Sequence, residues 1–140
     1  MRKFFIAMIT LNMSRNFLWV VLGFLLLSGC SKEAVTDPKA VASVATSCFQ
    51  SSFSLSKSRN PNDFDKVNQD FSHELYRCMV WKVLGSEAGV EEERKLSEIF
   101  QQRCPFSGLQ TIIRKDMIAC LKNIATPMVQ ENFDRLQAGK

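Results

Sequence analysis

The sequence predicts an all-α protein, a bundle of four to five helices tied by two disulfides. Three observations lead there. Apolar residues recur at i, i+3, i+4 spacing in successive segments. A helix-start signal, a short polar residue followed by proline, occurs three times, at Asp37-Pro38, Asn60-Pro61 and Thr126-Pro127. No segment sustains the two-residue alternation of strands bounded by hairpin turns. With 140 residues the chain is expected to form one domain, and 46% hydrophobic against 23% charged residues excludes a disordered tail.

Each element has its own signals. Asp37-Pro38 opens the first helix, whose face carries Val41, Val44, Ala45, Cys48 and Leu55; Ser51-Ser52-Phe53-Ser54 weakens it toward its end. Asn60-Pro61 opens the strongest helix, with Phe64, Val67, Phe71, Leu75 and Cys78 on one stripe and Gly85 as its stop. Glu91-Glu92-Glu93 places negative charge in the first turn of a third helix, where the macrodipole favours it. Leu96, Ile99 and Phe100 form its stripe, and Pro105 follows its end. Ser107 is the expected cap of a fourth helix carrying Leu109, Ile112, Ile113, Met117, Cys120, Leu121 and Ile124. Thr126-Pro127 then begins a short last helix with Val129, Phe133 and Leu136.

The first 29 residues read as a targeting segment. Ser14-Arg15-Asn16 is polar and basic, and Phe17 to Leu27 is an almost unbroken apolar run of 11 residues. As a helix that run spans roughly 16 Å, about half a bilayer's hydrocarbon core, which suits a secretory h-region rather than a membrane span. Met13 would itself begin a compact leader. The run ends in Leu27-Ser28-Gly29-Cys30, an aliphatic residue, two small residues and a cysteine. Small side chains let an extended backbone enter a peptidase cleft, and the thiol is the atom that receives a lipid.

This tetrad resembles the lipobox of bacterial lipoproteins. The resemblance implies cleavage before Cys30, diacylglycerol on its sulfur and a further acyl chain such as palmitate on the new amino group. In that class an Asp after the cysteine favours inner-membrane retention. Ser31 stands there instead, which implies the outer membrane; facing the periplasm is the commoner default for the anchored domain, and facing the cell exterior is the alternative that the sequence leaves open. Residues 30–37 are then a lipidated cysteine and polar tether, and residues 38–140 the helical domain.

Four cysteines follow the leader, Cys48, Cys78, Cys104 and Cys120. An even number in an exported domain points to disulfides, and spacings of 30, 26 and 16 match no zinc signature. Free, reactive thiols are the rival reading. In an idealised up-down bundle Cys78 and Cys120 lie toward one end and Cys104 toward the other. A Cys104–Cys120 link would need roughly 20 Å of shift, so the expected pairs are Cys78–Cys120 and Cys48–Cys104.

Charge gives little support for a nucleic-acid partner. The net charge is +4, but from Cys30 onward 15 basic residues face 14 acidic ones. Catalytic and cofactor signatures are scarce as well. The single histidine, His73, reads as a surface or partly buried residue, and no phosphate loop, nucleophile elbow or His-Glu-x-x-His pattern occurs. Asp63 and Asp65 fit a helix dipole, and Glu91 a side-chain pair with Lys95. Neither catalytic nor metal-binding residues nor a cofactor are expected.

One surface is suggestive. Tyr76, Val80 and Leu84 lie on the side of the second helix opposite its main stripe, flanked by Met79 and Trp81. Either other helices surround this end, or the three residues form an apolar patch for a protein partner. The combined reading is a lipid-anchored protein that acts by binding. In size, anchor and expected fold it looks like the pilotins, small lipoproteins that help assemble secretion complexes. An exclusion or immunity lipoprotein directed at a toxin, phage or conjugative apparatus is the alternative, and a thiol redox protein or enzyme a third. Oligomeric state is not legible in the sequence.

Overall fold

The computed structural model describes residues 33–108 and 111–139, with the side chains of residues 111–113 left aside. The lipobox with Cys30, the apolar leader, Leu109 and the side chains of Ile112 and Ile113 thus lie outside the described residues. A 3-10 turn at Pro38–Ala40 leads into four helices, α1 (Val41–Arg59), α2 (Phe64–Leu84), α3 (Val90–Arg103) and α4 (Thr111–Ala138). No strand is present among the described residues, and none of these helices is long and apolar enough to cross a membrane.

The Asp37 carboxylate accepts from the Lys39 N–H at 2.9 Å, with Pro38 in the first position of the turn. From there α1 buries Val41, Ala45, Cys48, Phe49, Ser52 and Ser56. Ala45, Ser52 and Ser56 are fully covered, and their small size lets α2 approach closely. The serine-rich stretch does not end the helix: Ser52 and Ser56 are buried within the bundle, while the Ser51 and Ser58 hydroxyls donate back to the carbonyls of Cys48 and Leu55.

Asn60-Pro61 works differently from the sequence expectation. Asn60 ends α1: its N–H and its side-chain amide both reach the Ser56 carbonyl, and the amide also reaches Asp70. The cap of α2 is Asp63, whose carboxylate accepts from the Lys66 N–H at 3.0 Å. That bond holds the Asp63 pKa below the usual carboxylate range. Phe64, expected on the apolar stripe, is 66% exposed because it precedes the first buried turn, which starts at Val67.

The central helix is α2. Phe71 and Leu75 are fully buried, and Phe71 meets Phe49 edge-on at 4.8 Å and Phe106 at 5.2 Å between ring centroids. Helices α1 and α2 form an antiparallel hairpin, α4 lies across both, and α3 lies mainly against α2. Gly89 caps α3, with its N–H donating to the Glu92 carboxylate at 3.2 Å. In the acidic first turn Glu91 pairs with Arg94 at 2.7 Å and with Lys95 at 3.6 Å. Arg94 also pairs with Glu98.

Helix α4 departs from expectation at both ends. Ser107 and Gly108 lie in an irregular stretch, so Ser107 does not cap it, and the helix is described from Thr111 onward. Nor does Thr126-Pro127 start a new helix: Pro127 sits inside α4. The Thr126 hydroxyl donates to the Lys122 carbonyl one turn back, at 2.7 Å, instead of capping. Leu121, Ala125 and Val129, spaced by four and all buried, hold the turns on both sides of the proline against α1 and α2. A proline in a helix interior costs roughly 3 kcal/mol, and burial of those three side chains outweighs it.

The disulfides join Cys48 to Cys78 and Cys104 to Cys120, with Cα separations of 5.6 and 5.8 Å. All four expected cysteines are therefore bridged, but the pairing expected from bundle heights is wrong. Cys48 lies seven residues from the start of α1 and Cys78 six from the end of α2, so at about 1.5 Å per residue they are level in the hairpin. Six residues separate Cys104 from Thr111. In extended form they reach about 20 Å, enough to bring Cys104 alongside the third turn of α4. Two contacts hold that connection across α2: the Tyr76 hydroxyl donates to the Cys104 carbonyl at 2.6 Å, and the Phe106 ring meets Phe71.

Candidate functional site

The chain is already docked on the bundle at the first residues described. The Val35 N–H donates to the Lys82 carbonyl at 2.8 Å, adding a backbone bond to the last turn of α2. The Val35 side chain sits among Val41, Val44, Met79, Val83, Ala125 and Val129. Next to it, Gly85 ends α2 with φ +81°, and a β-carbon there would come within 3.0 Å of the Ala34 β-carbon. The polar tether expected through residue 37 thus gives way to bundle structure by Ala34.

Tyr76 and Val80 do not form a surface patch. They are 5% and 2% exposed, covered within the core that α3 and its connection to α4 help close. The central-helix alternative describes them. Burial pushes the Tyr76 phenol pKa up, and the Phe106 backbone acts in the opposite direction.

Leu84, the third residue of that set, has another setting. It is half-buried at the edge of a groove of about 300 Å³ between α3 and α4, with Val83, Leu96, Ile99 and Met128 as its other apolar lining. Glu92 and Lys95 stand on the α3 side of this groove, and Glu131 and Arg135 on the α4 side. The groove exists because α3 and α4 touch little along their length. Helix α3 has a narrow apolar face, only Leu96 and Phe100 being fully covered. The disulfide ties α4 to Cys104, the residue that caps the end of α3, and leaves the earlier turns of α3 apart.

His73 is exposed on α2 and lines a second depression, between α2 and α3, with Arg77, Trp81, Glu93 and Arg94. The Arg77 guanidinium lies 4.7 Å from the Trp81 ring centre. Glu74, buried on the same helix, accepts from Arg59 at 2.8 Å and pairs with Arg77 at 3.0 Å. This places a structural ion pair between the end of α1 and the middle of α2. Asp63 and Asp65 stand at the start of α2, away from both depressions. No group of three or more His, Cys, Asp or Glu side chains is placed to hold a metal ion among the described residues.

Sequence reading missed Val35, Ile99 and Met128 as a surface pair of features, the docked chain start and the groove. Ile99 lies on the stripe of α3, as its spacing says, but at the stripe's open edge. A helix starting at Thr126-Pro127 would set Met128 in a first turn, whereas in the continuous α4 it faces the groove. The apolar Val35 beside Asp37-Pro38 was the available signal for a docked start. Comparisons with protein-family models, curated proteins and solved structures find no match to this chain.

Proposed function

We propose that this protein is an outer-membrane lipoprotein, anchored through acyl chains on Cys30, whose helical domain faces the periplasm and binds a protein of the envelope, as an assembly factor of the pilotin kind would. The observation that carries the reading is Leu27-Ser28-Gly29-Cys30 directly after the apolar run Phe17–Leu27. Several acyl chains on one residue give firm attachment, since each buried methylene contributes about 0.8 kcal/mol.

The surface assigned to the partner is the groove between α3 and α4. Leu84, Ile99 and Met128 offer an apolar floor, and both charge signs stand on its edges. An amphipathic segment with one apolar side and mixed charges on its flanks suits such a groove.

Two experiments test the two halves. Metabolic labelling with radioactive palmitate marks the wild-type protein, and Cys30→Ala loses both label and membrane association. Labelling that persists in Cys30→Ala refutes the anchor. For the groove, Ile99→Asp and Met128→Asp, with helical content and melting close to wild type, lose the crosslink to the envelope partner that the wild type forms. Full crosslinking in both variants removes the groove from the account.

A further inference from the structure

The docked chain start fixes which end of the bundle can approach a bilayer. Val35 is bonded to Lys82 and half-buried beside Val41, Met79 and Val83, so the bundle holds the chain at the end where α2 finishes. Cys30 precedes Val35 by five residues, and five residues reach at most about 17 Å. Helix α2, with 21 residues, is about 31 Å long. The lipid attachment point therefore cannot reach the far end of the bundle, where α1 turns into α2.

The same end carries exposed apolar side chains. Helix α4 runs antiparallel to α1: Arg114 stands over the Phe49 ring, while Ala125 and Val129 lie by Val35 and Val41. It continues nine residues past Val129, about 13 Å of helix, and there Leu136 is 59% exposed. Val90, the first residue of α3, is 85% exposed and follows Gly85 by five residues.

From this we propose that the bundle stands on the phospholipid surface on the end formed by Gly85, the start of α3 and the last turns of α4, with Val90 and Leu136 as its contacts. The opposite end, where Phe64 is 66% exposed, points away from the bilayer. The acyl chains supply the attachment, and the short link restricts the domain's orientation. This inference rests on lipidation at Cys30, and it adds a direction that lipidation alone does not give.

The test uses the full-length protein in its own membrane. A photoreactive benzophenone amino acid is placed at position 136 and, in a separate variant, at position 64, in cells fed radioactive phospholipid precursor. Palmitate incorporation is followed in parallel. The expected result is labelled phospholipid crosslinked to position 136 at least several-fold more than to position 64. Equal crosslinking at the two positions, a preference for position 64, or no lipid crosslink at position 136 in a palmitate-labelled protein overturns the orientation and leaves the anchor standing. Absence of palmitate overturns the anchor, and the orientation with it.

Discussion

Gly85 and Ala34 touch so closely that a single added methyl group on Gly85 would sit 3.0 Å from the Ala34 β-carbon. The contact joins the end of α2 to the segment that precedes the first turn. Gly85 has a second reason to be glycine, its φ of +81° and ψ of −173°, a combination that side chains resist. Gly85→Ala is expected to cost about 1–3 kcal/mol in denaturant unfolding. Because the backbone conformation dominates, adding Ala34→Gly should recover little of the loss. Full recovery in the double variant would show that the methyl contact alone sets the requirement.

Tyr76 is the only tyrosine in the chain, so its ionisation can be followed by absorbance without interference from others. Burial raises its folded pKa above the unfolded value of about 10. The titration midpoint of the folded protein is therefore expected above that of the urea-unfolded chain. Its contribution to stability is fully present below pH ~10 and is lost as pH rises through the raised folded value. Tyr76→Phe removes that alkaline loss but also the bond to the Cys104 carbonyl. Coincident titration midpoints in the folded and unfolded states would contradict the buried phenol.

Non-reducing peptide mapping should yield Cys48 linked to Cys78 and Cys104 linked to Cys120. The closed loops of 30 and 16 residues correspond to roughly 3.6 and 3.1 kcal/mol of chain entropy. Removing either bridge by paired alanines is thus expected to cost about 3–4 kcal/mol. Cys48 and Cys78 are both buried, whereas Cys120 is half-exposed. Under mild reductant, alkylation should appear at Cys104 and Cys120 first. A recovered Cys78–Cys120 peptide, or earlier alkylation of Cys48, would be inconsistent with this arrangement.

Pro127 interrupts the hydrogen-bond ladder of α4 at an exposed position. Pro127→Ala restores an N–H donor for the Asn123 carbonyl and should stabilise the protein by about 1–3 kcal/mol. Thermal melts of the two proteins check this. A lower melting temperature in the variant would mean that the proline imposes a bend which the packing of Ala125 and Val129 requires.

Helix stripes and stops were legible wherever a local rule acted alone. Val67, Phe71, Leu75 and Cys78 line up as their spacing says, and Gly85 ends α2. Competition between rules hid the rest. At Asn60-Pro61 the same signal can end one helix or begin the next, and the reach of Asn60 to Ser56 and Asp70 decided for the end. At Thr126-Pro127 tertiary burial of Leu121, Ala125 and Val129 overrode the proline. The pairing of Cys48 with Cys78 was available from counting outward from the loop between α1 and α2. It was obscured because α1 runs to Arg59, past the serines expected to weaken it. The pairing of Cys104 with Cys120 depended on the connection crossing α2 at Tyr76 and Phe71, which no local pattern announces. The groove at Leu84 is likewise a consequence of how α3 and α4 diverge.

The most direct measurement for the anchored-binder account is mass spectrometry of the N-terminal peptide from protein isolated out of the membrane fraction. The account predicts a mature chain that starts at Cys30, with diacylglycerol on its sulfur and an acyl group on its amine. A chain whose N-terminus lies elsewhere, or a Cys30 with an unmodified thiol, would contradict it.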